Sequence, residues 1–105
     1  AFTEQAPALG LPFSEKRGVS SKHIFPVLLP ERVDREAFRE KMKADGIQTS
    51  FHYPPVHHFK NYRQEGEELW MTENVARRQV TLPLFPSMTN EQQDWVIESV
   101  VDALN

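Results

Sequence analysis

At 105 residues the chain is sized for one small domain or for a piece of a larger protein. Its 39% hydrophobic and 26% charged residues are ordinary for a soluble globular unit, and a net charge of −3 without a long basic run argues against nucleic-acid or anionic-membrane binding. The absence of cysteine excludes a disulfide framework and thiolate zinc sites, and fits a reducing cytosol.

No apolar run approaches the roughly 20 residues needed to cross a bilayer. The first residues, A-F-T-E-Q-A-P-A-L-G-L-P-F, lack the basic start and continuous apolar core of a signal peptide. They read as the interior of a longer chain. Residues 1–21 show no sustained period and are expected to form a connecting arm, with Leu9, Leu11 and Phe13 able to pack as an extended segment. Ser14 to Ser21 reads as a turn or mobile loop. Residues 22–105 are expected to form the domain proper.

His23 to Leu29, H-I-F-P-V-L-L, is the first strand candidate. Pro26 cannot donate to a ladder, which predicts an edge strand or a bulge, and Pro30 ends the run. Asp34 then offers a cap to a helix over Arg35 to Asp45, with Ala37, Phe38 and Met42 on one face. Gly46 fits the left-handed residue of a Schellman ending, which would bring Met42 and Ile47 together.

Ile47 to Tyr53 alternates with period two and predicts a second strand. Ile47, Thr49, Phe51 and Tyr53 fall on one side, and Gln48, Ser50 and His52 on the other. Pro54 and Pro55 break it. A loop from Val56 to Gly66 follows, with a helical turn around His57 to Tyr62. Thr72 is a candidate cap for a helix to about Gln79, with Val75 and Ala76 inward and Arg77 and Arg78 outward. Val80 to Leu84 is the third strand. Thr89 and Gln92 form the T-x-x-Q capping box of a last helix, whose Ile97, Val100, Val101 and Leu104 make an apolar stripe widened by Trp95 or Val96. The order predicts an α+β fold, a small three-stranded sheet covered by helices.

Chemistry concentrates in Gln48 to Tyr62, which holds three of the four histidines and both tyrosines. The spacing of His52, His57 and His58 matches no zinc signature, and the segment contains no carboxylate. They fit either surface and loop packing or a role as hydrogen-bond donors or proton shuttles. Ser50 near His52 lacks a third, orienting group for nucleophilic catalysis. The glycines are isolated, so no phosphate loop is present. Lys60 among histidines and aromatics suggests Schiff-base chemistry at most weakly, and a solvated lysine is the simpler reading. The residues alone leave an α+β unit with an incomplete site.

Three pieces carry a family resemblance. G-I-Q-T-S-F-H-Y-P-P-V-H resembles the G-I-x-x-x-x-H-Y-x-P-x-H segment of the DegT/DnrJ/EryC1/StrS aminotransferases. H-I-F-P-V-L-L from His23 resembles the strand that opens that family's small domain. T-E-N-V-A-R-R-Q-V-T-L-P-L-F-P-S-M-T from Thr72 resembles its t-E-x-x-A-x-x-x-x-x-L-P-x-x-P-x-M-t block. The resemblance implies the C-terminal small domain of a fold type I, PLP-dependent enzyme that moves an amino group from glutamate to a keto-sugar nucleotide. It implies a cytoplasmic homodimer as the parent. PLP would be held by a large domain that precedes this chain and supplies the lysine, the acid and the stacking aromatic. The fragment alone is then expected to be inactive. His52, Tyr53 and His57 are carried over as substrate-binding residues. No catalytic, cofactor-binding or metal-binding residue is assigned, and His58 has no firm counterpart. Two other readings stay open on the residues, a stand-alone ligand-binding or regulatory module and a metal-binding domain.

Overall fold

Asp34 accepts a hydrogen bond from the amide of Ala37 at 2.8 Å and so opens a helix, α2, over Arg35–Ala44. Gly46, at φ +78°, closes it. Its amide donates to the Lys43 carbonyl, and the Ile47 amide donates to the Met42 carbonyl, each at 2.9 Å. This is the expected Schellman ending, and Met42 and Ile47 are both buried. The structure, a computed structural model, describes residues 2–15, 17–63 and 68–105. Its other elements are α1 (Phe2–Gln5), β1 (Phe25–Leu28), α3 (Trp70–Arg78), β2 (Gln79–Leu82) and α4 (Asn90–Leu104), with 3-10 turns at Val56–His58 and Lys60–Tyr62.

The last helix forms as its capping box predicts. Thr89 Oγ1 accepts from the Gln92 amide at 3.1 Å, while Gln92 Oε1 accepts from the Thr89 amide at 2.9 Å. Val96, Ile97, Val100 and Leu104 are buried on one stripe, so Val96 widens it. Trp95 instead lies half exposed at the rim, donating its indole N–H to the Asp45 carbonyl at 2.9 Å. With Phe38 and Met42 of α2, and with Val27, Leu29, Val80 and Leu82, the Val96, Val100 and Leu104 side chains of that stripe make one core.

β1 and β2 pair antiparallel, Phe25 opposite Leu82 and Val27 opposite Val80. The outer edge of β1 meets Gly10, which exchanges both backbone hydrogen bonds with Leu28 at 2.8 Å. Pro26 shares the orientation of Leu28, so its nitrogen faces that outer edge and removes no bond to β2. Gly10 is required there, because a Cβ would stand 2.9 Å from that of Leu28.

The fold is α+β with a small sheet, as expected; its pairing is antiparallel, and among the described residues the ladder has two strands rather than three. The predicted strand over Ile47 to Tyr53 shrinks to one bridge, Ser50 with Thr81. The reason lies in the partners that would continue it. Counting outward from Ser50–Thr81, the next hydrogen-bonded pairs are Gln48 with Pro83 and His52 with Gln79. Pro83 has no N–H to give, and the Gln79 amide is already donated to the Val75 carbonyl at the end of α3. The alternation survives over Ile47 to Ser50, with Ile47 and Thr49 buried, but Tyr53, expected on the same face, is exposed. Phe51 lies under the guanidinium groups of Arg35 and Arg39, at 4.5 and 5.4 Å.

The expected packing of the N-terminal segment is realised at Leu9 and Leu11, while the expectation for α3 needs correction. The N-terminal segment is partly core, since Ala6 and Leu9 are buried and Phe2 stacks on Phe25 with ring centroids 5.8 Å apart. Phe13, by contrast, is 90% exposed. In α3, Thr72 is an interior residue rather than the cap, and no side chain caps the start at Leu69. Val75 is exposed, whereas Arg78 turns in and donates to the Leu29 carbonyl at 2.7 Å and to Asn74 Oδ1 at 2.8 Å. The helix buries no residue of its own. Arginines anchor it, with Arg35 donating to the carbonyls of Ala76 and Gln79 near its C-terminal end.

Candidate functional site

The segment after Phe51 leaves the sheet edge and is tied down at two places. His52 Nδ1 is hydrogen-bonded to Thr81 Oγ1 on β2 at 2.9 Å. The Gln79 side-chain amide donates to the Tyr53 carbonyl at 3.1 Å. The His52–Tyr53 peptide is cis. The Tyr53 ring packs edge-on to His52, centroids 5.0 Å apart, and is 72% exposed. Pro54 and Pro55 then carry the chain into the 3-10 turn Val56–His58, closed by the His58 amide on the Pro55 carbonyl at 2.9 Å.

That turn meets α3. His57 Nε2 lies 2.7 Å and His58 Nε2 lies 2.6 Å from the same oxygen, Oε1 of Glu73. A carboxylate only accepts, so both rings donate from Nε2. Those two hydrogen bonds, His58 first and then His57, hold the Glu73 carboxyl below its ordinary value of 4.5. The two rings stand edge-on, centroids 4.6 Å apart.

Of the sequence-derived site residues, His52 and Tyr53 are neighbours in space. Among the described residues no hydrogen bond or ring contact joins either of them to His57. The three share one irregular segment, held from behind by β2 and by α3. Two residues not assigned from the sequence join them. Glu73 is the second letter of the T-E-x-x-A block, a signal that was present in the resemblance. His58 had no such signal, because its role depends on what α3 presents to it.

Clefts open on both sides of Glu73. One, of about 490 Å³, is lined by His57, Glu68, Trp70, Glu73, Asn74 and Arg77 among others. The other, of about 430 Å³, is lined by Phe51, Pro54, Pro55, His58, Glu73 and Arg77 with Arg35 and Ala76. A third cleft, of about 610 Å³, runs along Gly46 to Ser50 toward Trp95 and is lined by no histidine. It is the outward face of Gln48 and Ser50.

A PLP site within these residues needs a lysine withdrawn from water so that its amine is nucleophilic. The described lysines, Lys22, Lys41, Lys43 and Lys60, are all exposed, and Lys41 is paired with Asp45 at 2.6 Å. None of these four described lysines meets that requirement. Lys60 sits on an exposed 3-10 turn, as the solvated reading expects. Among the described residues, no helix is long and apolar enough to cross a membrane.

The sequence model of the DegT/DnrJ/EryC1/StrS aminotransferase family matches residues 1–101. Solved structures agree in fold. The aminotransferase TlmJ from Streptoalloteichus hindustanus is 26% identical with a TM-score of 0.83, over 98% of this chain and 29% of that one. S. venezuelae DesV, solved in complex with a ketimine intermediate, is 31% identical with a TM-score of 0.81, over 98% and 28%. The ntda protein from Bacillus subtilis, with bound cofactor PMP, is 28% identical with a TM-score of 0.75, over 98% and 26%. The chain thus spans less than a third of the length of each of these three relatives.

Proposed function

The chain belongs to the DegT/DnrJ/EryC1/StrS aminotransferase family, and on that premise we propose that it is the C-terminal small domain of a PLP-dependent enzyme transferring an amino group from glutamate to a keto-sugar nucleotide. A relative named as an aminotransferase, a second solved in complex with a ketimine intermediate and a third with bound cofactor PMP support that reading. The parent is a cytoplasmic homodimer, and residues 1–21 form its connecting arm to the large domain. PLP supplies the electron sink when bound. The large domain holds it, and the 105-residue chain is inactive alone.

This domain contributes one wall of the substrate pocket through His52, Tyr53 and His57. The observation that carries the assignment is their mounting. They sit on one irregular, proline-stiffened segment, with His52 braced by Thr81 and His57 by Glu73. Such bracing fixes ring orientation before substrate arrives and lowers the ordering cost of binding. Tyr53 presents most of its ring and its hydroxyl to whatever packs there. Imidazole and phenol are suited to hydrogen-bonding sugar hydroxyls and phosphate oxygens.

The test uses the full-length parent with Tyr53→Phe, His52→Ala and His57→Ala. The KM for the keto-sugar nucleotide rises in each, while the PLP absorbance of the enzyme is unchanged. Unchanged KM in all three removes the pocket-wall assignment. Absorbance of a PLP–lysine adduct on the 105-residue chain alone overturns the fragment reading.

A further inference from the structure

His57, His58 and Glu73 offer three ligand atoms that all lie within 4.8 Å of one another. The sequence kept them apart, since two come from the 3-10 turn after Pro55 and the third from α3. We propose that they form a divalent transition-metal site of the zinc class, with two imidazole nitrogens and one carboxylate oxygen as protein ligands. The inference goes beyond the aminotransferase reading and does not depend on it.

The donor set fits the chemistry. Two histidines and one carboxylate are a borderline nitrogen and oxygen set that suits Zn²⁺, Co²⁺ or Ni²⁺ better than Ca²⁺ or Mg²⁺, which prefer oxygen alone. The geometry is close. Both Nε2 atoms already converge on one oxygen, at 2.7 and 2.6 Å. Zinc bonds of about 2.0–2.2 Å in a tetrahedral shell place neighbouring ligand atoms roughly 3.4 Å apart. The nitrogens and the oxygen need to separate by less than about 1 Å, a rotamer adjustment for side chains that are 22%, 48% and 43% exposed. Without metal, two N–H dipoles aim their positive ends at the same oxygen. One divalent ion replaces both, with three protein ligands and a fourth position open to water in the adjoining clefts. Arg77 borders both clefts, so an anion is the natural alternative to water as that fourth ligand.

Binding leaves a specific mark. The metal-free rings carry their protons on Nε2, whereas a metal on Nε2 requires the proton on Nδ1. The experiment is a ZnCl₂ titration of the 105-residue chain at neutral pH, without PLP, followed by calorimetry and by ¹⁵N–¹H correlation of the histidine rings. Saturable single-site binding is expected, with His57 and His58 switching from Nε2–H to Nδ1–H while His23 and His52 do not change. CoCl₂ in place of zinc gives visible ligand-field absorbance. His58→Ala and Glu73→Gln both abolish the stoichiometric binding. Absence of binding by the unaltered chain overturns the proposal. So does binding that persists in both variants, or a ring switch at His23 or His52. None of these outcomes bears on the KM test in the parent, so the two readings fail separately.

Discussion

The imidazole of His52 stands 2.9 Å from the hydroxyl of Thr81, and this bond joins the proposed pocket wall to the middle of β2. Backbone pairing between the two segments ends at Ser50, because Pro83 and the occupied amide of Gln79 stop it. A side chain therefore continues what the ladder cannot. Thr81→Val keeps the shape and removes the hydroxyl. It should cost about 0.5–1.5 kcal/mol in denaturant unfolding. In the parent it should raise the KM for the keto-sugar nucleotide without altering cofactor absorbance. A variant with native KM would mean that the orientation of His52 does not matter to substrate.

The end of α2 separates backbone strain from crowding. A Cβ at Gly46 meets no atom within 4 Å, so any cost comes from its φ of +78°. Gly46→Ala should lose about 1–2 kcal/mol, and Gly46→Asn less, because asparagine tolerates the left-handed region better. Urea midpoints of the two variants check the order. At Gly10 the cause is different, and Ala should destabilise by contact with Leu28 even where its backbone is tolerated.

The caps and the core can be ranked. Thr89→Ala removes one arm of the capping box on α4 and should cost about 1 kcal/mol. Met42→Ala empties a fully buried position between α2 and α4 and should cost about 2–5 kcal/mol. Thermal melts that reverse this ranking would show that α4 depends on its start more than on its apolar stripe.

Acid should loosen the hold of the 3-10 turn on α3. The Glu73 carboxyl is held below 4.5 by His58 and His57, so the folded state favours its ionised form. A depressed carboxyl adds stability that is present above the unfolded value, and loses it as pH falls through the folded one. Asp45, lowered from 3.8 chiefly by its hydrogen bond to Lys41, acts with the same sign at lower pH. Stability measured from neutral pH down to about pH 3 should decline, and Glu73→Gln should flatten the part of that decline just below 4.5. An unchanged slope in that variant would remove Glu73 as a contributor.

Much of the fold was legible along the chain because its determinants are local. Asp34, Gly46 and the Thr89–Gln92 box act within one helical turn, and the stripe through Ile97, Val100 and Leu104 needs only a period of 3.6. The edge position of Pro26 followed from its missing N–H. The extent of Ile47 to Tyr53 as a strand did not follow, since period two shows which side chains share a face but not whether a partner has amides left to pair. The orientation of α3 was also misjudged in part, because Trp70, Met71 and Val75 are exposed and its anchors are arginines reaching carbonyls across elements. The candidate site divides the same way. His52, Tyr53 and His57 were readable as a contiguous motif. The carboxylate that joins His57 to His58 comes from 15 and 16 residues further on, and nothing in the spacing announces it. Local chemistry writes helix ends and periodic faces into sequence, whereas a three-residue donor cluster exists only once two elements have packed together.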